Sequence, residues 1–135
     1  MRILLISPKT SFGVADIAEM RRLHMGFIKA GMCATWHTDT VAGRWDVVIV
    51  DQNILNDPVL YEKVRRLDCY KAIWILDHCG HQTPQASERN ARVMAAVPDF
   101  DLIMTQDATF NWPKHLWLCQ GVEEDEFTAQ PADAP

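Results

Sequence analysis

The side chains best suited to catalysis or metal binding follow an apolar run that ends at Leu76. Asp77-His78-Cys79-Gly80-His81 offers a carboxylate, two imidazoles and a thiol. Asp77 and His78 suit a general base, because histidine titrates near neutral pH and a neighbouring carboxylate orients it and raises its basicity. The same residue types bind metals, but their spacing matches no common zinc pattern, so we expect no metal. A plain polar loop with a glycine turn is an equal alternative to the catalytic interpretation.

A second polar segment, Ser7–Gly13, lies between an apolar run and a segment with helical periodicity. Hydroxyls and amides at a helix N-terminus can hold an anion or a sugar hydroxyl, which makes Ser11 and Gly13 candidate contacts. The segment lacks the Gly-Lys-Ser/Thr of a P-loop and most glycines of a dinucleotide fingerprint. We therefore expect no cofactor, and a simple strand-to-helix loop is favoured over a phosphate site.

Both loops belong to a pattern in which apolar runs alternate with helical segments. The predicted strands are Arg2–Ser7, Met32–His37, Trp45–Asp51, Tyr70–Leu76, Phe100–Thr105 and His115–Cys119. Predicted helices carry Ile17, Met20, Leu23, Phe27 and Ala30 on one face, begin at Asp57-Pro58, and span Ser87–Ala96. This alternation predicts an α/β fold: a doubly wound, mostly parallel, Rossmann-like sheet of five or six strands in one domain. Only Thr38–Arg44 is too short for a crossover helix.

The default strand order for this class, 3-2-1-4-5-6, puts strand 4 beside strand 1. Ligands bind beyond the carboxyl ends of the strands at that switch point, where the loops after strands 1, 3 and 4 meet. The candidate catalytic residues are Asp77 and His78. The candidate substrate-binding residues are Ser11, Gly13, Asp51, His81 and Gln106.

The tryptophans divide into two groups. Trp45, Trp74 and Trp117 lie in predicted strands, so we expect them in the core. Trp36 and Trp112 can stack on the apolar face of a sugar ring, but burial is the favoured interpretation for both.

Composition excludes several classes of function. The net charge of −5 argues against a protein that binds nucleic-acid backbone. No apolar run is long enough to span a bilayer, and the first one is too short for a signal peptide, so we expect a cytoplasmic protein. The four scattered cysteines are interpreted as reduced thiols.

The last third of the chain resembles the end of the N-terminal domain in GT-B glycosyltransferases. The similar segments are Phe100–Gln106 and Leu116–Glu123, followed by Phe127. In that family a strand of type F-D-L-I-x-T is followed by a short helix and a strand that ends in Q-G-V-D-x-x-x-F. The opening Met1–Ser7 and the segment Asp46–Val50 are similar too, so the resemblance covers essentially the whole chain. Its most specific part is Gln120–Phe127, and the rest is a generic Rossmann pattern.

The resemblance implies an acceptor-binding half of an enzyme that moves a sugar from a nucleotide-sugar donor to a hydroxyl acceptor. Its base would face the interdomain cleft, and by position the matching residues are Asp77, His78 and the loop that contains Gly13. Glu123 departs mildly from the family's Asp. The donor-binding domain does not follow, so we expect residues 1–122 to form a domain that is inactive without a C-terminal domain or partner chain. Residues 123–135 are acidic and rich in Ala and Pro, as in a linker or tail.

Two other classes remain open. A response-regulator receiver would use Asp51 at the end of strand 3, but Ser7 stands where receivers carry an acidic pair and Gln106 where they carry a lysine. A non-catalytic interaction module would use the apolar surface that a lone half-enzyme exposes.

Overall fold

The computed structural model describes residues 1–8, 14–76, 84–106 and 112–117. Within these ranges one sheet has six strands, all paired in parallel. The strands are β1 Arg2–Ile6, β2 Cys33–His37, β3 Val47–Asp51, β4 Tyr70–Ile75, β5 Leu102–Thr105 and β6 His115–Trp117. The helices are α1 Val14–Lys29, α2 Pro58–Arg65 and α3 Pro84–Ala96, with 3₁₀ helices at Gln52–Asn56 and Val97–Asp99. The predicted α/β, doubly wound class is confirmed.

The predicted strand order is wrong, because the observed order is β2-β1-β3-β4-β5-β6. β3, and not β4, lies beside β1. The physical reason is burial: in β3 every residue after Val47 is buried, whereas no residue of β2 is. A strand that is apolar on both faces needs neighbours and covering layers, so β3 is central and the more polar β2 takes the edge.

The connection between β2 and β3, residues 38–46, passes β1 without a helix, as its length predicts. Trp45 organises this segment. Its indole Nε1 donates to the carbonyl oxygens of Val41 and Ala42 at 3.2 and 3.1 Å. Gly43 lies beside the ring with a φ of +106°, a backbone conformation that residues with a side chain rarely adopt. Trp45 therefore supplies a local core for a connection too short to contain a helix.

The helix ends follow the capping signals in the sequence. α1 stops at Gly31, where φ is +77°, and Met32 N donates to Phe27 O at 2.9 Å while Gly31 N donates to Ile28 O at 3.0 Å. That pair of bonds is a Schellman motif. The Asp57 side chain accepts from Leu60 N at 3.0 Å, which confirms the predicted cap of α2.

The core forms two layers, one on each face of the sheet. Apolar residues of the four inner strands form its centre and are all buried: Leu4, Val48, Ile49, Ile75 and Ile103. α2 and α3 contribute Leu60, Val64 and Val93 to one layer, and α1 contributes Met20 to the other. Ile17 was expected on the buried face of α1, but it is 45% exposed, so that face is narrower than predicted.

The tryptophans correct one expectation. Trp74 and Trp112 are buried, and Trp36 and Trp45 are half-buried. Trp117 is 51% exposed and does not belong to the core, because β6 is a three-residue strand at the edge of the sheet. Among the described helices, none is both long and apolar enough to cross a membrane.

Candidate ligand site at the carboxyl edge

The strand order moves the predicted site. The chain leaves β1 towards β2 and leaves β3 towards β4, so the switch point lies between β1 and β3. The prediction that strand 4 lies beside strand 1 is therefore wrong. As a consequence, Asp51 stands at the switch point itself, and the loop after β4 begins one strand further out.

Two of the seven predicted site residues, Asp51 and Gln106, belong to the described part of the chain. Both lie at the carboxyl edge, as predicted. The other five lie outside the described residues: Ser11, Gly13, Asp77, His78 and His81.

On one side of the switch point, Ser7 joins the ends of β1 and β2. It is 2% exposed. Its backbone N donates to His37 O at 3.0 Å, and its Oγ accepts from the indole Nε1 of Trp36 at 2.9 Å. Trp36 is thereby held against the end of β1, with its polar atom committed to the protein.

On the other side, Asp51 ends β3 and is completely buried. Its Oδ1 accepts from Asn53 N at 2.8 Å and so caps the 3₁₀ helix that follows. A buried carboxylate is tolerated only where hydrogen bonds compensate its lost hydration. Asp51 is therefore a rigid acceptor at the switch point.

A chain of hydrogen bonds then links the carboxyl ends of β3 to β6. Gln52 Oε1 accepts from Leu76 N at 3.2 Å. Gln106 Nε2 donates to Leu76 O, and Gln106 O accepts from Trp117 Nε1 at 3.0 Å. Leu76 is thus held from both sides by glutamines, which fixes the point where β4 ends.

Buried polar residues concentrate at this edge. Those found among the described residues are Ser7, Glu19, Asp51, Gln52, Asn53 and Thr105. All except Glu19 lie at or just after the carboxyl ends of β1, β3 and β5, and Glu19 is paired with Arg22 in α1. Since burying polar groups costs free energy unless they are bonded, the fold concentrates its buried polar bonds at the edge where the sequence predicts a site.

Sequence reasoning missed Ser7 and Gln52 as individual residues, although both fall within segments that the switch-point rule selects. Their positions relative to the strand ends were available signals. Their partners, Trp36 and Leu76, were not predictable, because each contact depends on which strands are neighbours.

The described residues contain no group of three His, Cys, Asp or Glu side chains that could share a metal ion. The Asp77–His81 segment lies outside these residues, so the choice among base, metal ligand and plain loop stays a prediction.

A cavity of about 450 Å³ opens at the opposite, amino edge of the sheet. Its lining includes Arg2, Arg44, Trp45, Asp68 and Cys69. The guanidinium of Arg2 covers the Trp45 ring at 4.9 Å, and burial raises the pKa of the Cys69 thiol. This cavity mixes both charges and lies at the edge that parallel sheets rarely use for ligands, so we favour the carboxyl edge.

No protein-family model matches the chain, and no protein of known function matches its sequence. The carboxyl edge must therefore be interpreted from its own chemistry.

Proposed function

We propose that this domain is the acceptor-binding half of a glycosyltransferase and that it holds a hydroxyl-bearing acceptor at the carboxyl edge of its sheet. A nucleotide-sugar donor would be bound by a second domain or a partner chain. Transfer would take place in the cleft between the two halves.

The observation that carries the proposal is the buried polar cluster beside the switch point. Ser7, Gln52, Asn53 and Thr105 bring neutral hydroxyl and amide groups, and Asp51 brings one carboxylate. These side chains bond within the protein, so their effect is to make the edge polar with a single charge, which suits the hydroxyls of a sugar better than the charge of a phosphate. The cluster therefore favours an acceptor site over a nucleotide site.

The strand order is compatible with a Rossmann-like half-enzyme. When the outermost strand of the 3-2-1-4-5-6 order is removed and the rest are renumbered, the order 2-1-3-4-5 remains, which matches the first five strands of the observed sheet and leaves β6 as an additional edge strand. The helix-free connection over residues 38–46 is what the loss of such a strand and its helix would leave. The Rossmann-type resemblance in the sequence is compatible with this shortened sheet.

The proposed base is Asp77 or His78, directly after the residue that the two glutamines hold. A hydroxyl nucleophile needs a proton acceptor within about 3 Å, and a positioned base contributes roughly 10²–10⁴-fold in rate. Successive residues of an extended strand point to opposite faces, so Asp77 and His78 would not both face the acceptor. We favour Asp77 slightly as the base, because a carboxylate at the end of the strand is well placed.

The test uses the protein extended by the coding sequence downstream of Pro135, assayed with nucleotide sugars. An in-frame second Rossmann domain there would support the proposal. Asp77→Asn or His78→Ala should reduce transfer by about 10²–10⁴-fold with folding intact, while Asp68→Asn, an exposed aspartate at the amino edge, should leave it unchanged. Wild-type turnover in both site variants would show that the segment is only a loop.

A receiver domain is the second candidate, and the strand order favours it, because signalling domains of this class share the 2-1-3-4-5 arrangement with Asp51 at the end of β3. Against it, Asp51 is completely buried and its carboxylate caps Asn53 N. Ser7 and Gln106 also replace the groups that hold Mg²⁺ and neutralise the phosphoryl charge. We expect acetyl phosphate to leave Asp51 unmodified; phosphorylation lost in Asp51→Asn would favour the receiver.

A non-catalytic interaction module is the third candidate. Leu116 and Trp117 of the edge strand β6 are 48% and 51% exposed. Exposed apolar groups on an edge strand favour contact with another chain. Light scattering after size exclusion measures the molar mass in solution. A strict monomer without partners would weaken the case for an interaction module.

A further inference from the structure

Two buried polar atoms near the ends of β4 and β5 have no hydrogen-bond partner in the described part of the chain. One is a donor, the indole Nε1 of Trp74, and the other is an acceptor, the amide Oε1 of Gln106. Trp74 is only 2% exposed. Buried polar groups are nearly always paired, so an unpaired donor and an unpaired acceptor in neighbouring strands require an explanation.

The chemistry of the neighbours fixes the orientation of the Gln106 amide. Its Nε2 donates to the carbonyl oxygen of Leu76. The inverted amide would place its oxygen against that carbonyl oxygen, where neither atom could donate. Leu76 is itself held through its N by Gln52. Oε1 of Gln106 is therefore committed to the role of an acceptor.

The two atoms belong to adjacent positions of the sheet. Trp74 pairs with Met104 in the register of β4 and β5, and both pack with Leu76 in the layer that contains α1. Gln106 comes two residues after Met104. From the strand spacing and the rise per residue, the Cα atoms of Trp74 and Gln106 are about 8 Å apart, a separation that one small group between two long side chains can bridge.

We infer that Trp74 and Gln106 form a subsite for a single hydroxyl group of the acceptor, with the indole N–H donating to the hydroxyl oxygen and the hydroxyl donating to the amide oxygen. This inference rests on the proposed function. A hydroxyl satisfies both atoms at once because it is a donor and an acceptor. A carboxylate or phosphate would oppose the amide oxygen, and an ammonium group would oppose the indole N–H. A buried water has the same chemistry as the hydroxyl, so the experiment must separate these two sources.

The experiment follows side-chain signals in ¹⁵N NMR spectra of the wild-type chain. The five tryptophans give one indole signal each, and Trp74→Phe identifies the signal of Trp74. The probes are methyl glucoside, methyl galactoside and methyl mannoside, each compared with its single-deoxy analogues. Binding of the hydroxyl should move the Trp74 indole signal and the Gln106 amide signals downfield. For one deoxy position, affinity should fall about a hundredfold, as expected for two lost hydrogen bonds at about tenfold each.

Variants provide the second measurement. Gln106→Met keeps the length of the side chain without its amide, and Trp74→Phe keeps an aromatic ring without its N–H. Each should weaken binding about tenfold. Trp45→Phe is the matched control, because its indole bonds to Val41 and Ala42 in the β2–β3 connection, and it should bind as the wild type does.

The outcomes are distinguishable. If a glycoside binds while the Trp74 signal stays in place and Gln106→Met binds equally well, the subsite is wrong and the proposed function stands. If the Trp74 indole shows a persistent magnetisation-transfer peak to bound water that no glycoside removes, the pair is a water site and the inference is overturned. If no glycoside binds to the wild type, the proposed function fails and the subsite fails with it.

Discussion

At the scale of single residues, Asp51 connects the stability of the domain with its candidate site. Its carboxylate is completely buried at the switch point and accepts from Asn53 N. The sequence identified Asp51 and Gln106 because both directly follow apolar strands. It could not identify the bonds from Trp36 to Ser7 or from Leu76 to Gln52, because those contacts join segments that are distant in the chain.

We expect Asp51→Ala to lower the free energy of unfolding by about 2 kcal/mol, since it removes a buried cap at the upper end of the usual range. Asp57→Ala is the matched control: Asp57 caps Leu60 N of α2 but is only partly buried, so its loss should cost about 1 kcal/mol. Urea unfolding measures both. A cost for Asp51→Ala no larger than that for Asp57→Ala would contradict the role of Asp51 as a buried anchor.

At the scale of helices and strands, the features predicted correctly are those that depend on local sequence. The Gly31 stop of α1, the Asp57-Pro58 start of α2 and the absence of a helix over residues 38–46 follow from residue type and length alone. The predicted strand order was wrong because it followed the default arrangement of this fold class and not the composition of the individual strands. Cys33–His37 is visibly less apolar than Val47–Asp51, and that contrast indicates which strand lies at the edge.

Two glycine-to-alanine substitutions should change the stability of the domain in opposite directions. Gly43 has a φ of +106°, so Gly43→Ala should destabilise the β2–β3 connection by about 1–3 kcal/mol even though a Cβ would meet the Trp45 ring only at ordinary contact distance. Gly26 lies inside α1 with open space around its Cβ position, so Gly26→Ala should stabilise by about 0.5–1 kcal/mol. Thermal unfolding of both variants tests this. If both substitutions shift the unfolding temperature in the same direction, the β2–β3 connection does not have the backbone conformation described.

Tyr61 links α2 to the 3₁₀ helix before β5 by donating to Asp99. Burial first, and then the bond to Asp99, raise the pKa of Tyr61 well above its usual value near 10. A raised pKa means that its stabilisation is complete below pH 10 and is lost as the pH rises towards the pKa of the folded state. Tyr61→Phe should cost about 1–2 kcal/mol at pH 7 and reduce the loss of stability above pH 10.

Urea unfolding between pH 7 and pH 11 measures this dependence. Tyr70→Phe is the control, because Tyr70 is 48% exposed and its replacement should change stability by less than about 0.5 kcal/mol. An unchanged alkaline profile in Tyr61→Phe would argue that the bond to Asp99 contributes nothing.

At the scale of the whole molecule, the fold class was predictable because alternation of apolar strands with amphipathic helices leaves few arrangements. The sheet has one edge where buried polar groups collect and another where a cavity of mixed charge opens. Under the proposed function the domain supplies one wall of a cleft, and catalysis needs both walls to orient donor and acceptor. We therefore expect the 135-residue chain alone to bind an acceptor without transferring sugar to it.

Mapping of backbone amide shifts in the isolated chain tests the central claim most directly. Methyl glycosides and UDP-glucose are titrated separately into ¹⁵N-labelled protein. We predict that a glycoside shifts the amides of Ser7, Asp51 and Gln106 at the carboxyl edge, while UDP-glucose shifts none of these and is not turned over. Shifts at the carboxyl edge with UDP-glucose alone, or glycoside shifts confined to Arg44 and Trp45 at the amino edge, would contradict an acceptor site at the carboxyl edge.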